Sequence, residues 1–111
     1  MLDRGVQAEA MTLDEYRRDL VDRDKRRAAY HALATEVDAI ITLTAPGAAP
    51  VGLGWTGDPV FVVPGSMLGV PALSLPVLAD EGLPLGLQLL GFADRDADLF
   101  ATAAAVLEVL K

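Results

Sequence analysis

Between Pro59 and Ala79 the chain runs for twenty-one residues without a charge, yet prolines at 59, 64, 71 and 76 interrupt it. By length alone such a run would match a membrane span. Each proline removes an amide donor and breaks a continuous helix, so a membrane span is excluded, no membrane partner is expected, and a buried, turn-punctuated strand layer remains. The wider segment, GDPVFVVPGSMLGVPALSLPVLADEGLPLGLQLLG from Gly57 to Gly91, calls for a protein interior.

With 111 residues, the chain (1–111) is a single domain or a fragment of one. Hydrophobic residues make up 52% and mean hydropathy is +0.36, against an apolar share of about 45–50% in ordinary domains. The excess points to surface covered by something else, either in a homo-oligomer or against a complementing chain. Net charge is −7, and residues 38–111 hold two Lys/Arg against eight Asp/Glu, so a nucleic-acid partner is not expected. The absence of cysteine removes disulfides, thiolate metal sites and cysteine nucleophiles together, and fits a reducing, cytoplasmic setting. The N-terminus MLDRGVQAEA lacks the basic-then-apolar order of a signal peptide.

Thr12-Leu13-Asp14-Glu15 forms a capping box and predicts a helix running to about Val37. Its apolar stripe is Leu13, Tyr16 and Leu20, continued by Tyr30, Leu33 and Val37, while Asp22 and Arg26 are spaced to pair. Asp38 to Thr44 reads as a short buried strand, followed by a long loop from Ala45 to Pro59 that carries the only tryptophan, Trp55. Ser66 is placed to cap one helical turn ending at Gly69. Ala72–Leu78 and Leu85–Leu89, joined by Ala79-Asp80-Glu81-Gly82, predict a hairpin. A last helix is expected from about Arg95 to Leu110, with Asp94 as its cap and Leu99, Ala103, Val106 and Leu110 on its inner stripe.

Catalytic chemistry finds few candidates in this chain. A serine nucleophile needs a base within hydrogen-bond reach, and Ser66 and Ser74 are the only serines. Lys25 sits in a charged helical stretch and Lys111 is the last residue, while His31 reads as a half-buried surface histidine. Ser74 lies in mid-strand as a backbone-satisfied small residue. Asp80/Glu81 and Asp94/Asp96/Asp98 have turn and cap duties that explain them without a metal. Gly52-Leu53-Gly54 lacks the third glycine of a dinucleotide fingerprint, so no cofactor is expected.

The order of four segments carries a resemblance. Asp38-Ala39-Ile40-Ile41-Thr42-Leu43-Thr44-Ala45-Pro46 comes first, then Gly57-Asp58-Pro59, then Gly69-Val70-Pro71-Ala72-Leu73-Ser74-Leu75-Pro76, then Gly82-Leu83-Pro84-Leu85-Gly86-Leu87-Gln88-Leu89-Leu90-Gly91. Together they resemble the C-terminal quarter of the amidase signature family, over about residues 12–111. The chain departs from that pattern at Thr42-Leu43-Thr44, where the family often has Thr-Pro-Thr, and at Ser66, where it often has Asn. The resemblance implies an α/β fold, part of a mixed β-sheet flanked by helices. It also implies an enzyme that hydrolyses or transfers amide nitrogen through a Ser, a cis-Ser and a Lys. None of those three residues can be carried onto this chain, so no catalytic residue is assigned. By the same resemblance Thr44, Trp55, Phe61, Ser66 and Met67 fall in the loop and turn that wall the amide pocket, where core packing competes as an explanation.

Three functions follow as alternatives. The first is a portion of an amidase-type hydrolase, inactive alone and meeting a small amide substrate only when joined to the missing part. The second is a non-catalytic self-associating or partner-binding module. The third is a small independent hydrolase using Ser66 with His31.

Overall fold

The computed structural model describes residues 10–111. The stretch Met1–Ala10, read above against a signal peptide, lies outside the described residues except for Ala10. Helix α1 spans Leu13–Ala32 and passes into a 3-10 turn at Leu33–Thr35; strand β1 is Ile40–Leu43, helix α2 Val63–Leu68, strand β2 Ala72–Asp80, strand β3 Leu83–Leu90 and helix α3 Asp96–Val109. The expected order of long helix, short strand, long loop, hairpin and final helix is present, and the fold is α/β. The three strands pair antiparallel in the order β1-β3-β2, which puts β3 at the centre. No helix among the described residues is long and apolar enough to cross a membrane.

The prolines sit where a missing N–H costs nothing. The Pro59 carbonyl accepts the amides of Val62 and Val63 at 3.0 and 3.1 Å as the chain enters α2. Pro64 lies in the first turn of that helix, whose amides have no intrahelical partner anyway. Pro71 precedes β2 and its carbonyl accepts the Gly91 amide at 2.9 Å. Pro76 falls where the β2–β3 register slips between Leu75 and Leu78, a bulge that needs no ladder donor. The hairpin closes through Glu81 and Gly82, both at positive φ (51° and 77°), the turn form whose twist matches the strands. Both strands run nearer to that turn than expected.

One sheet face is apolar. Leu75 and Leu89 pack against Leu99 and Ala103 of α3, with Leu73, Leu87 and Val106 beside them, and Leu89 is fully buried. The helix starts at Asp96 rather than Arg95, with Arg95 in the cap position and no side-chain cap bond. Asp94 does not cap it: at φ 63° it occupies a left-handed turn one residue too early.

Helix α1 departs most from expectation. The capping box forms, with Thr12 and Glu15 exchanging two 3.1 Å bonds. At the other end the Leu33 carbonyl collects the amides of both Glu36 and Val37, which tightens the chain into a 3-10 turn and ends the α-helix at Ala32. Leu13, Tyr16 and Val37 of the expected stripe are exposed. The half-buried face is instead Leu20, Arg23, Arg27 and Tyr30. It is held by polar contacts: Arg27 Nε donates to the Met67 carbonyl (2.9 Å) and the Tyr30 hydroxyl to the Gly91 carbonyl (2.8 Å). Arg23 approaches its neighbour Asp24 at 3.5 Å, and the Asp22–Arg26 pair is not formed. His31 is exposed rather than half-buried.

Tyr30 also stacks on Phe92 with ring centroids 5.1 Å apart. Burial raises its pKa above the ordinary 10.0. The folded state thus holds this proton more tightly than the unfolded chain, so the contribution is complete below the unfolded pKa and is lost as pH rises through the folded one. Tyr30→Phe should cost about 1 kcal/mol in urea unfolding at neutral pH. The gap between wild type and variant should shrink above about pH 10; a gap that stays constant into strong alkali would refute the role of the hydroxyl.

Candidate functional site

The second sheet face is polar. Directly opposed residues of an antiparallel sheet share a face, and the register aligns Thr42 with Gln88 and Gln88 with Ser74. A row of three polar side chains therefore crosses all three strands. Gln88 is buried, at 3% exposure, so its amide must find partners inside the protein. Its Nε2 donates to Thr42 Oγ1 at 2.9 Å and to the Phe61 carbonyl at 2.8 Å. The second bond ties the end of the long loop to the centre of the sheet. Helix α2 is then held close: a Cβ on buried Gly65 would stand 3.0 Å from Leu90 Cδ2.

One step along the same face lies Gly86. The Thr44 amide donates to its carbonyl at 2.9 Å, extending the β1–β3 ladder by one rung. Thr44 Oγ1, one residue past β1, and Ser74 Oγ of β2 meet at 2.7 Å. A Cβ on Gly86 would clash with both hydroxyls, at 2.1 Å from Ser74 Oγ and 2.5 Å from Thr44 Oγ1. The glycine keeps open a slot that the hydroxyl pair bridges.

Beside this slot is a cavity of about 670 Å³, lined by Thr44, Pro46, Trp55, Asp58, Asp80 and Gly86 among others. The Asp80 carboxylate accepts the Ala48 amide at 2.7 Å, which pins the first part of the loop. Asp80 thus serves as a loop anchor as well as a turn residue. The ionisable groups of the lining are Asp58, Asp80 and Glu81, all acidic. A second cavity of about 490 Å³, between the 3-10 turn and α3, includes none of the expected site residues.

Of the five residues expected to wall a pocket, Thr44 and Trp55 line the larger cavity, and Trp55 is 63% exposed. Phe61 is tied to the polar row through its carbonyl. Ser66 and Met67 lie within α2, outside that lining. Ser66 does not cap the helix: Val62 holds the cap position without a side-chain bond. Among the described residues neither serine hydroxyl is hydrogen-bonded to a lysine or histidine; Lys111 pairs with Glu108 at 2.8 Å. Gln88 and Gly86 were not among the expected site residues. A signal existed, because a glutamine amid alternating leucines on a central strand has to be satisfied in the interior.

Gln88→Leu keeps the size of the side chain but leaves the Phe61 carbonyl without its donor, at a cost of about 1–3 kcal/mol. Amide exchange in residues 44–62 should accelerate while that of α3 holds. Unchanged exchange in the loop would show that Gln88 does not anchor it.

No family model matches the chain. It is 44% identical over 78 residues to a glutamyl-tRNA(Gln) amidotransferase subunit of Granulibacter bethesdensis, covering 63% of this chain and 16% of that protein. A fatty acid amide hydrolase of Medicago truncatula is 44% identical over 84 residues, covering 64% of this chain and 14% of that protein. The corresponding amidotransferase subunit of Methylocella silvestris is 41% identical over 99 residues, covering 80% and 19%. The chain thus spans less than a fifth of these relatives' length. A crystal structure of an amidase superposes with a TM-score of 0.81 at 28% identity, over 96% of this chain and 27% of that one. Sequence relatives and structural neighbour together make this chain a homologue of the amidase signature enzymes over most of its own length.

Proposed function

We propose that this chain is a pocket-forming portion of an amidase-type hydrolase acting on carbon–nitrogen bonds, corresponding to the C-terminal part of such enzymes. The nucleophile and base, a Ser-Ser-Lys set in the resemblance, come from polypeptide beyond these residues. The observation that carries the reading is a mismatch: 41% identity over 99 residues, in a chain covering 19% of the relative. Among the described residues neither serine hydroxyl is hydrogen-bonded to a lysine or histidine. Thr44 and Trp55 contribute to the wall of an amide pocket, and Phe61, Ser66 and Met67 support it from the loop end and α2. The chain meets a small amide only when joined to the rest, and a cytoplasmic setting fits the absence of cysteine.

A second reading, a self-associating or partner-binding module, is favoured by the exposed apolar side chains Val51, Leu53, Phe100 and Val109 and by the outer edges of β1 and β2, which pair with no further strand among the described residues. A glycine- and serine-rich segment encoded in frame ahead of Met1 would decide for the first reading.

The purified chain should release no ammonia from a broad panel of primary amides. Turnover that disappears in Ser66→Ala would overturn the proposal. Light scattering should find the chain self-associated, and a clean monomer at high concentration would count against the module.

A further inference from the structure

We infer that the outward stripe of α3 is a self-complementary contact that pairs two copies of this chain across a two-fold axis, with the two helices antiparallel. The inference rests on the self-association reading above and names the surface that such a contact uses.

Of the fourteen residues of α3 only Asp96, Asp98, Thr102 and Glu108 are polar. A helix that is apolar nearly all round is ordinarily covered on more than one side. Here the sheet takes one stripe, with Leu99 and Ala103 buried and Val106 packed beside them. Phe100, Ala104 and Leu107, spaced four and three residues apart, form a neighbouring stripe that stays exposed. Phe100 is 63% exposed and Leu107 40%.

The two ends of this stripe carry opposite charges. Asp96 stands four residues before Phe100 and Lys111 four after Leu107, and the Lys111 amide still follows the last turn, 3.4 Å from the Glu108 carbonyl. Asp96 and Lys111 are equally far from the midpoint between Ala103 and Ala104, and so are Phe100 and Leu107. One antiparallel register about that midpoint therefore sets Phe100 against Leu107 of the second copy and Asp96 against its Lys111, each contact being made twice. A parallel pair would instead bring like charges together at both ends. Opposed helix dipoles add to the antiparallel preference. Lys111 also pairs with Glu108 at 2.8 Å, but both groups are largely exposed, where such pairs contribute little, so turning to the second copy costs little. One pair of helices is small against the roughly 1,200 Å² at which stable interfaces begin, which makes this dimer a reversible one seen at high protein concentration.

Sedimentation equilibrium of the whole chain is the test, with amide exchange in α3 checking that each variant is folded. The wild type should fit a monomer–dimer equilibrium. Phe100→Ser and Leu107→Ser should each weaken it by about tenfold or more. Lys111→Glu should weaken it about 3- to 10-fold at low salt, and adding Asp96→Lys should restore it. The chain has no cysteine, so Ala104→Cys introduces a single thiol near the axis. Oxidation should link two copies of Ala104→Cys, whereas in Ala97→Cys the same register holds the two thiols roughly 20 Å apart and linking should fail. Association of unchanged strength in Phe100→Ser and Leu107→Ser, or linking in Ala97→Cys as fast as in Ala104→Cys, would overturn the inference and leave self-association standing. A wild-type chain that stays monomeric would overturn the self-association reading as well and assign the stripe to polypeptide of another sequence.

Discussion

The buried Gln88 amide is the interaction on which the arrangement of this chain depends. Strand β3 has one face that must be dry, because Leu89 and Leu87 meet Leu99 and Val106 of α3. Its other face holds a primary amide at 3% exposure, and an unpaired amide there would cost about 1–3 kcal/mol, a large share of a small domain's stability. By taking Thr42 Oγ1 on one side and the Phe61 carbonyl on the other, Gln88 makes satisfaction of its own donors conditional on the loop being in place. Loop position is thereby coupled to the sheet.

The same coupling explains why α2 and α1 sit where they do. Once Phe61 is fixed, the chain has only the short step from Pro59 into α2 before Gly65 lies against Leu90. The exposed carbonyl end of α2 then meets Arg27, whose guanidinium donates to Met67, as cations favour helix C-termini. Tyr30 completes the attachment at Gly91, immediately after β3. Helix α1 is therefore held by donors that seek particular carbonyls, which is why its seated face is Leu20, Arg23, Arg27 and Tyr30 rather than its most apolar stripe.

Local signals made the elements legible. Thr12 and Glu15 satisfy each other from neighbouring positions, Glu81-Gly82 adopts the turn that its residues favour, and the prolines exclude structure wherever a donor is needed. What was not legible depended on register. Asp94 and Ser66 are good capping residues, but each lies off the boundary by a residue or more, because tertiary contacts placed the helix starts. The site is the same case on a larger scale. Thr44, Ser74 and Gly86 come from three segments, and their meeting follows from which rung of β3 opposes which residue of β1 and β2. A bulge at Pro76 shifts that pairing by one residue just past Ser74.

The thin core bears on how such a pocket works. Among the described residues the buried apolar side chains are Leu75, Leu89, Leu90, Phe92, Leu99 and Ala103, while Ile41, Val51, Leu53, Phe100 and Val109 are exposed. A loop anchored by Asp80 and Gln88 at its two ends, with Trp55 exposed between them, has its polar anchors in place and its apolar side chains uncovered. On the proposed reading, the polypeptide that buries those side chains also closes the cavity and excludes water from it. Exclusion of water strengthens every hydrogen bond made inside the cavity. Covering the surface and completing the site are then one event.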